Sequence, residues 1–324
     1  MTIKTQEKPL YPEIIYQLPY NIYKRKRGKI LVIGGSITMV GAPTLVCEAA
    51  YRSGVGIVVL GYPDIAKDIF KHLIPETMSL PLPSNKSGSI SLKALDILEN
   101  QIKDFDVVII GPGLSRNPET QEFIWRFIFN FDIPMVIDAD AIHALSLGLS
   151  IIKEKIGSKN IDYFLPSKSQ KLIITPHPGE AVSLIKSLRG RGELLNINNS
   201  LVDKEKEKFA PWLARKIKSV IVLKGFNTTI ANWEGETVIN KTGGPALATA
   251  GTGDVLAGII GALYSQNLQK PFEVSCMAVY LHGLAGDLAA QDIGSRSIIA
   301  SDVIKYLPRA IKKVEINFWG EKNE

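Results

Sequence analysis

Cysteine is scarce in this 324-residue chain: Cys47 and Cys276 are the only two, each set among apolar neighbours. That excludes a disulfide framework and a cysteine-rich metal site, and two buried free thiols are expected instead. Histidine is nearly as rare, with four residues, and none of His72, His143, His177 and His282 has metal-ligand spacing with another. No apolar run reaches the length of a membrane span. The first residues, with Lys4, Glu7 and Lys8 ahead of Pro9 and Pro12, lack the apolar centre of a signal peptide, so a cytoplasmic protein with no membrane partner is expected. Two phosphate-binding signatures are also missing. No Gly-x-Gly-x-x-Gly opens a helix and no Gly-Lys-Ser/Thr follows a strand, which argues against a Rossmann dehydrogenase and a Walker-type ATPase.

Charge of one sign is only mildly in excess. Lys and Arg number 38 against 32 Asp and Glu, for a net charge of +6. A small phosphorylated ligand suffices to explain that balance, and no nucleic-acid partner is expected. The densest basic run, Lys24-Arg25-Lys26-Arg27-Gly28-Lys29, reads as a solvated loop or as a lip that attracts phosphates. With 45% hydrophobic and 22% charged residues the composition is that of an ordinary globular chain.

The repeating unit is a short β-branched apolar run, a turn rich in Gly or Asp, and an amphipathic stretch of helical length. It predicts βα units around a mainly parallel sheet. Strands are expected at 29–33, 55–60, 106–110, 135–137, 172–174 and 220–223, and helices at 43–53, 64–72, 254–266, 272–291 and 299–313. A hairpin over 228–231 and 237–240 predicts an antiparallel edge. Residues 148–171 and 188–207 lack periodicity and read as surface insertions. Every special turn follows a strand, which is where open α/β sheets place their ligands, so the motifs should converge on one crevice.

Four of those turns carry chemistry. Gly251-Thr252-Gly253-Asp254 opens an apolar helix; its glycines let backbone N–H groups approach an anion, and Asp254 would stand at the edge of a phosphate as a base, or merely cap the helix. Asp138 and Asp140 could hold Mg²⁺ through water or orient a hydroxyl, or Asp140 could cap the helix after it. In Thr175-Pro176-His177-Pro178-Gly179-Glu180 two prolines stiffen the presentation of His177, while Glu180 would support the first helical turn. Lys224-Gly225-Phe226-Asn227-Thr228 sets an ammonium, a glycine and a hydroxyl together, which suits nucleotide phosphates or ribose. His72, His143 and His282 read as packing or surface residues, His282 with the option of lining a pocket wall.

With Gly34-Gly35-Ser36, Gly41-Ala42-Pro43, Ala50-Tyr51-Arg52-Ser53-Gly54, Gly111-Pro112-Gly113-Leu114, Asp138-Ala139-Asp140-Ala141 and His282-Gly283-Leu284-Ala285-Gly286 in the same order, the chain resembles the ADP/ATP-dependent NAD(P)H-hydrate dehydratases over roughly Lys24 to Ile311. The resemblance implies a ribokinase-like α/β fold, a three-layer sandwich whose mainly parallel central sheet carries helices on both faces and an antiparallel edge. It implies a single domain over 1–324, with 1–23 as an N-terminal extension and without the epimerase domain that many relatives carry. The implied activity is repair of NADH and NADPH hydrated at C6, by phosphorylation of the ring hydroxyl and loss of phosphate. Ala42, Gly113, His177 and Asp254 would meet the hydrated dinucleotide. Lys224, Gly225, Phe226, Asn227, Thr228 and Gly253 would meet ADP or ATP, Mg²⁺ would bridge its phosphates, and the Gly251, Thr252 and Gly253 amides would form the anion hole. The acceptor of the C5 proton stays open among His177, Asp254 and the departing phosphate. Homo-oligomers are common in the family. Ser115 and His143 depart from its usual glycine and asparagine. The alternatives are a kinase of the same fold acting on a thiazole or pyrimidine alcohol, and a non-catalytic nucleotide-binding regulator.

Overall fold

The computed structural model describes residues 2–70, 74–156, 169–189 and 196–320. Ten strands form one sheet: β1 (Thr2–Gln6), β2 (Lys29–Ile33), β3 (Ile57–Pro63), β4 (Met78–Leu82), β5 (Val107–Ile110), β6 (Met135–Ile137), β7 (Leu172–Ile174), β8 (Val220–Leu223), β9 (Thr229–Ala231) and β10 (Glu236–Asn240). Their spatial order is β1-β10-β9-β8-β7-β6-β5-β2-β3-β4. Only β9 runs against the rest, pairing antiparallel with both β8 and β10. The expected hairpin therefore forms that end of the sheet. The segment ahead of Lys24, read as an extension, adds β1 outside it, parallel to β10 with Thr2 opposite Glu236. Gln6 pins the added strand, its side-chain amide donating to Asn240 and to the Cys276 carbonyl.

Strand alternation divides the helices into two layers. On one face Ile30, Val32, Val107, Ile109 and Val222 meet α1 (Gly41–Arg52), α9 (Thr252–Gln266), α10 (Pro271–Ile293) and α11 (Ala300–Glu315). On the other, Leu31, Ile33, Val108, Ile110 and Leu223 meet α3 (Ala94–Gln101), α4 (Pro118–Asn130), α5 (Asp140–Ile156), α6 (Pro178–Leu188), α7 (Asn199–Lys204) and α8 (Lys206–Ile217). Successive strand side chains point to opposite faces, so a continuous apolar run such as Ile30-Leu31-Val32-Ile33 feeds both cores at once. The result is the expected three-layer sandwich.

Local chemistry sets the helix starts. Asn117 caps α4 by accepting from the Glu119 and Thr120 amides, with Pro118 at the first helical position. Helix α9 is apolar on nearly all sides and sinks into the core, where a side chain on Gly258 would stand 2.4 Å from the Val46 carbonyl of α1.

Several sequence expectations need correction. Residues 148–156 continue α5, because Leu149 is buried and the apolar face persists past Gly148. Within 188–207 lies α7, capped by Asn198, and α8 begins at Lys206. The helix expected over 64–72 is a 3₁₀ turn at Asp64–Ala66 followed by the short α2 (Lys67–Phe70), and His72 falls outside the described residues. The basic run at 24–29 is no phosphate lip: it leads into the amino end of β2, where Arg25 pairs with Asp106 and Arg27 donates to the Gly54 carbonyl at 2.9 Å. Cys47 and Cys276 are free and buried, as expected. No helix among the described residues is long and apolar enough to cross a membrane.

Candidate active site

The carboxyl ends of β2, β5, β6, β7 and β8 lie side by side because these strands are parallel neighbours, and their turns meet in one crevice facing the start of α9. Gly251, with φ +90°, provides the N-cap of α9 without any side-chain cap. A left-handed backbone at that point suits glycine, and the helix start faces the crevice, but the Thr252 amide donates to the Thr249 carbonyl at 3.4 Å, so the expected anion hole of three free amides is not complete. Asp254 is therefore not the cap. It sits in the first turn, half-buried, and its carboxylate makes no hydrogen bond to another described residue.

Lys224 stands at the centre of a carboxylate cluster. Its Nζ donates to Asp138 Oδ1 at 2.6 Å, and the same oxygen accepts from the Thr175 hydroxyl at 2.7 Å. The Asp138 side chain is 2% exposed and that of Lys224 is 19% exposed. Burial opposes the ammonium, yet the charges of Asp138, Glu180 and Asp254 outweigh it and hold the Lys224 pKa above its usual value. Burial pushes Asp254 up to about 7, with the Asp138 charge adding and Lys224 opposing. Glu180 is raised to about 7 by the same burial, again with Lys224 opposing. Two carboxyl groups poised near neutrality beside one ammonium can each hold or release a proton at working pH.

His177 does structural work as well as facing the crevice. Its Nδ1 accepts from the Gly179 amide at 3.0 Å, and Glu180 Oε2 accepts from the His177 amide at 2.8 Å, which completes a capping box on α6. Nδ1 is thus an acceptor, which puts the ring proton on Nε2, 3.4 Å from Glu180 Oε1. Burial and the nearby Lys224 charge lower the His177 pKa, so the ring is neutral at pH 7. Glu180 supports the first turn, as expected.

Gly113 and Ala42 come together across the crevice: a Cβ on Gly113, at φ +70°, would stand 3.4 Å from the Ala42 Cβ and 2.7 Å from the Met39 carbonyl. Asp138 and Asp140, read as a possible metal pair, have other partners. Asp138 is engaged by Lys224 and Thr175, and Asp140, the first residue of α5, accepts from the Ser115 amide at 2.9 Å instead of capping its own helix. Among the described residues no group of His, Cys, Asp or Glu could hold a metal on its own. Ser115 is held at φ +78°, a conformation that glycine adopts without strain, which explains the glycine expected at that place. His143 bonds Gln121 Oε1 at 3.0 Å.

On the other side of the α9 N-terminus lies a cavity of about 380 Å³. Lys224, Gly225, Phe226, Asn227, Thr228, Thr252 and Gly253 all line it, so the residues read as a nucleotide site do share one space. The structure adds Thr242, Gly243, Gly244, Leu247, Val279 and His282 to its wall. Thr242, Gly243, Gly244 and Leu247 come from a segment pressed onto α10, and Val279 and His282 from α10 itself. A side chain on Gly283 would meet the Thr242 hydroxyl at 2.2 Å and its backbone at 2.5 Å, and Asp287 ties the loop down by accepting from the Gly243 amide at 2.9 Å. The legible signal was the small-residue spacing Gly283 and Gly286; the loop contact was not. His282 is buried, its Nε2 has no partner among the described residues, and burial lowers its pKa to about 4, so His282 adds no charge to a wall whose one lining ammonium is that of Lys224.

The model of the NAD(P)H-hydrate dehydratase family matches residues 30–309. A bifunctional NAD(P)H-hydrate repair enzyme of Moorella thermoacetica is 35% identical over 293 residues, which is 90% of this chain and 51% of that protein. The chain thus spans about half the length of the curated relatives it matches. Among solved structures, a ribokinase-like superfamily protein of Enterococcus faecalis is similar with TM-score 0.73 and 27% identity, covering 96% of each chain. The ADP/ATP-dependent NAD(P)H-hydrate dehydratase of Bacillus subtilis, co-crystallised with ATP and Mg²⁺, is similar with TM-score 0.69 and 26% identity, covering 93% of this chain and 96% of that one. A family match across most of the chain, on a ribokinase-like sandwich with its strand-end motifs gathered at one helix start, places this chain in the NAD(P)H-hydrate dehydratase family.

Proposed function

We propose that this chain returns C6-hydrated NADH and NADPH to NADH and NADPH, using ADP or ATP as phosphoryl donor. The observation that carries the reading is Asp254: a carboxylate free of hydrogen bonds to other described residues, raised to about 7 by burial, at the start of a helix whose amides face the same point. Asp254 takes the proton of the ring hydroxyl as that oxygen attacks the donor's terminal phosphorus, the bridging P–O bond breaks, and AMP or ADP leaves. The Gly251 and Gly253 amides hold the negative oxygens of the transferring group, joined by that of Thr252 when it turns from the Thr249 carbonyl. Lys224, Gly225, Phe226, Asn227 and Thr228 hold the adenine nucleotide, the exposed Phe226 offering a face for the base. Ala42, Gly113 and His177 line the approach of the dihydronicotinamide. The ring nitrogen lone pair then expels phosphate, and loss of the C5 proton restores the double bond.

Asp138 and Asp140 are committed to protein partners, so Mg²⁺ would be carried mainly on the nucleotide's phosphates, where it supplies charge neutralisation. The reading includes a single catalytic domain acting in the cytoplasm on a small-molecule substrate, and assembly as a homo-oligomer. Incubation with hydrated NADH or NADPH and ADP or ATP tests it. Recovery of dihydronicotinamide absorbance with release of phosphate is expected; a stable phosphorylated product would mark a plain kinase, and nucleotide binding without turnover a regulator.

A further inference from the structure

The proposed reaction needs two adenylates on the protein at once, one in the phosphoryl donor and one in the hydrated dinucleotide, and the cavity beside Lys224 has room for one. A second space opens from the crevice on the opposite layer. It is a groove of about 440 Å³ between α4 and α5, formed by Arg116, Gln121, Trp125, Arg126, His143 and Leu147.

Arg116 stands where crevice and groove join. Its guanidinium is 70% exposed and lies 3.8 Å from Asp140 Oδ1, beyond hydrogen-bond reach, so it is electrostatically held but free to donate. Asp140 links the two regions: its other oxygen accepts from the Ser115 amide, and its charge reaches Asp254. The Arg116 charge bears on both His177 in the crevice and His143 in the groove. Farther along, the groove turns apolar and aromatic. Arg126 lies 5.4 Å over the Trp125 ring while pairing with Glu122, and Leu147 is 40% exposed beside them. A cation at the crevice followed by an indole and an exposed leucine matches a phosphate followed by a planar base.

We propose that the α4–α5 groove takes the adenylate half of the hydrated dinucleotide, with Arg116 pairing to the adenylate-side phosphate of the pyrophosphate, the one that nicotinamide mononucleotide lacks. This rests on the dehydratase reading, so its test uses binding as well as turnover. Calorimetry on the full chain compares NADP⁺, nicotinamide mononucleotide and ADP with the parent and with Arg116→Ala and Arg116→Lys. Arg116→Ala should weaken NADP⁺ about tenfold, the size expected for one charge-assisted hydrogen bond, and change mononucleotide and ADP less than about twofold. Arg116→Lys should recover part of the loss. NADP⁺ should quench Trp125, and Trp125→Phe should remove that quenching. In turnover, Arg116→Ala should raise KM for hydrated NADPH with kcat nearly unchanged. No NADP⁺ binding by the parent, equal weakening of NADP⁺ and mononucleotide, or quenching that survives Trp125→Phe would overturn the groove. Failure of the parent to turn over hydrated NADPH, with the NADP⁺ pattern intact, would overturn the dehydratase reading alone.

Discussion

The two sides of the α9 N-terminus are built from opposite materials. On the crevice side Asp138, Glu180 and Asp254 gather around Lys224, and burial raises two of those carboxyl groups to about 7. On the cavity side, beyond the shared Lys224 at its edge, the wall is neutral: Gly243, Gly244, Leu247, Val279 and a His282 whose ring stays uncharged down to about pH 4. Titratable charge is concentrated where protons would move, and small neutral residues where a nucleotide would only have to be held. Helix α9 serves both, because its amides present fixed partial charge that needs no counter-ion of its own. The difference teaches that the proposed base and the proposed nucleotide site can fail separately.

Substitutions on either side should pull the two apart. The largest effect is expected from Asp254→Asn, which keeps shape and removes the base: turnover of hydrated NADH should fall by about 10²–10⁴-fold while ADP affinity by calorimetry stays within a few-fold. Retained activity would show that another group takes the proton. Next is Lys224→Met, which strands Asp138 without its ammonium at a site 2% exposed; denaturant unfolding should show a loss of about 3–5 kcal/mol. On the cavity side, Gly283→Ala forces the Thr242 loop away from α10. ADP binding should weaken at a cost of about 1–3 kcal/mol, with the pH dependence set by Asp254 unchanged.

The last comparison is of stability against pH, where solvent screening of the half-buried Asp254 reduces the effect. Asp254 has a folded pKa of about 7, above its unfolded value of 3.8, so the folded state binds the proton more tightly. Its stabilising contribution is full below the unfolded pKa and is lost as pH rises through about 7. Thermal melts should therefore find Asp254→Asn more stable than the parent at pH 8 and equal to it near pH 3. Activity should run the other way, rising through about pH 7 as Asp254 ionises. Coincident melts at both pH values would place the carboxyl in a wetter setting than the structure does.

Much of this arrangement was readable beforehand. Continuous β-branched runs such as Val107–Ile110 marked strands buried on both faces, and the turns after them marked the crevice. Residues 224–228 were readable by residue type as a set suited to phosphates or ribose, and they do line one cavity. Less was readable where meaning depends on a distant partner. Thr2–Gln6 has no apolar alternation strong enough to declare a strand, and β10 supplies the pairing that makes it one. The His177 ring was legible as rigidly presented, yet its role as a helix cap depends on where Gly179 and Glu180 turn. Arg116 drew no notice, since an exposed arginine in a loop has no pattern until α4 and α5 close a groove beside it.

The sequence by itself determined the parallel sheet, the place of the ligand turns and the helix that opens at Gly251, because hydrophobic period, β-branching and glycine's tolerance of positive φ are local properties. Only the tertiary structure decided that the Asp254 carboxyl is raised to about 7 and that Asp138 is bonded by Lys224. The proton affinity of Asp254 comes from burial and from neighbouring charge, and those are set by residues as far away in the chain as Asp138 and Lys224.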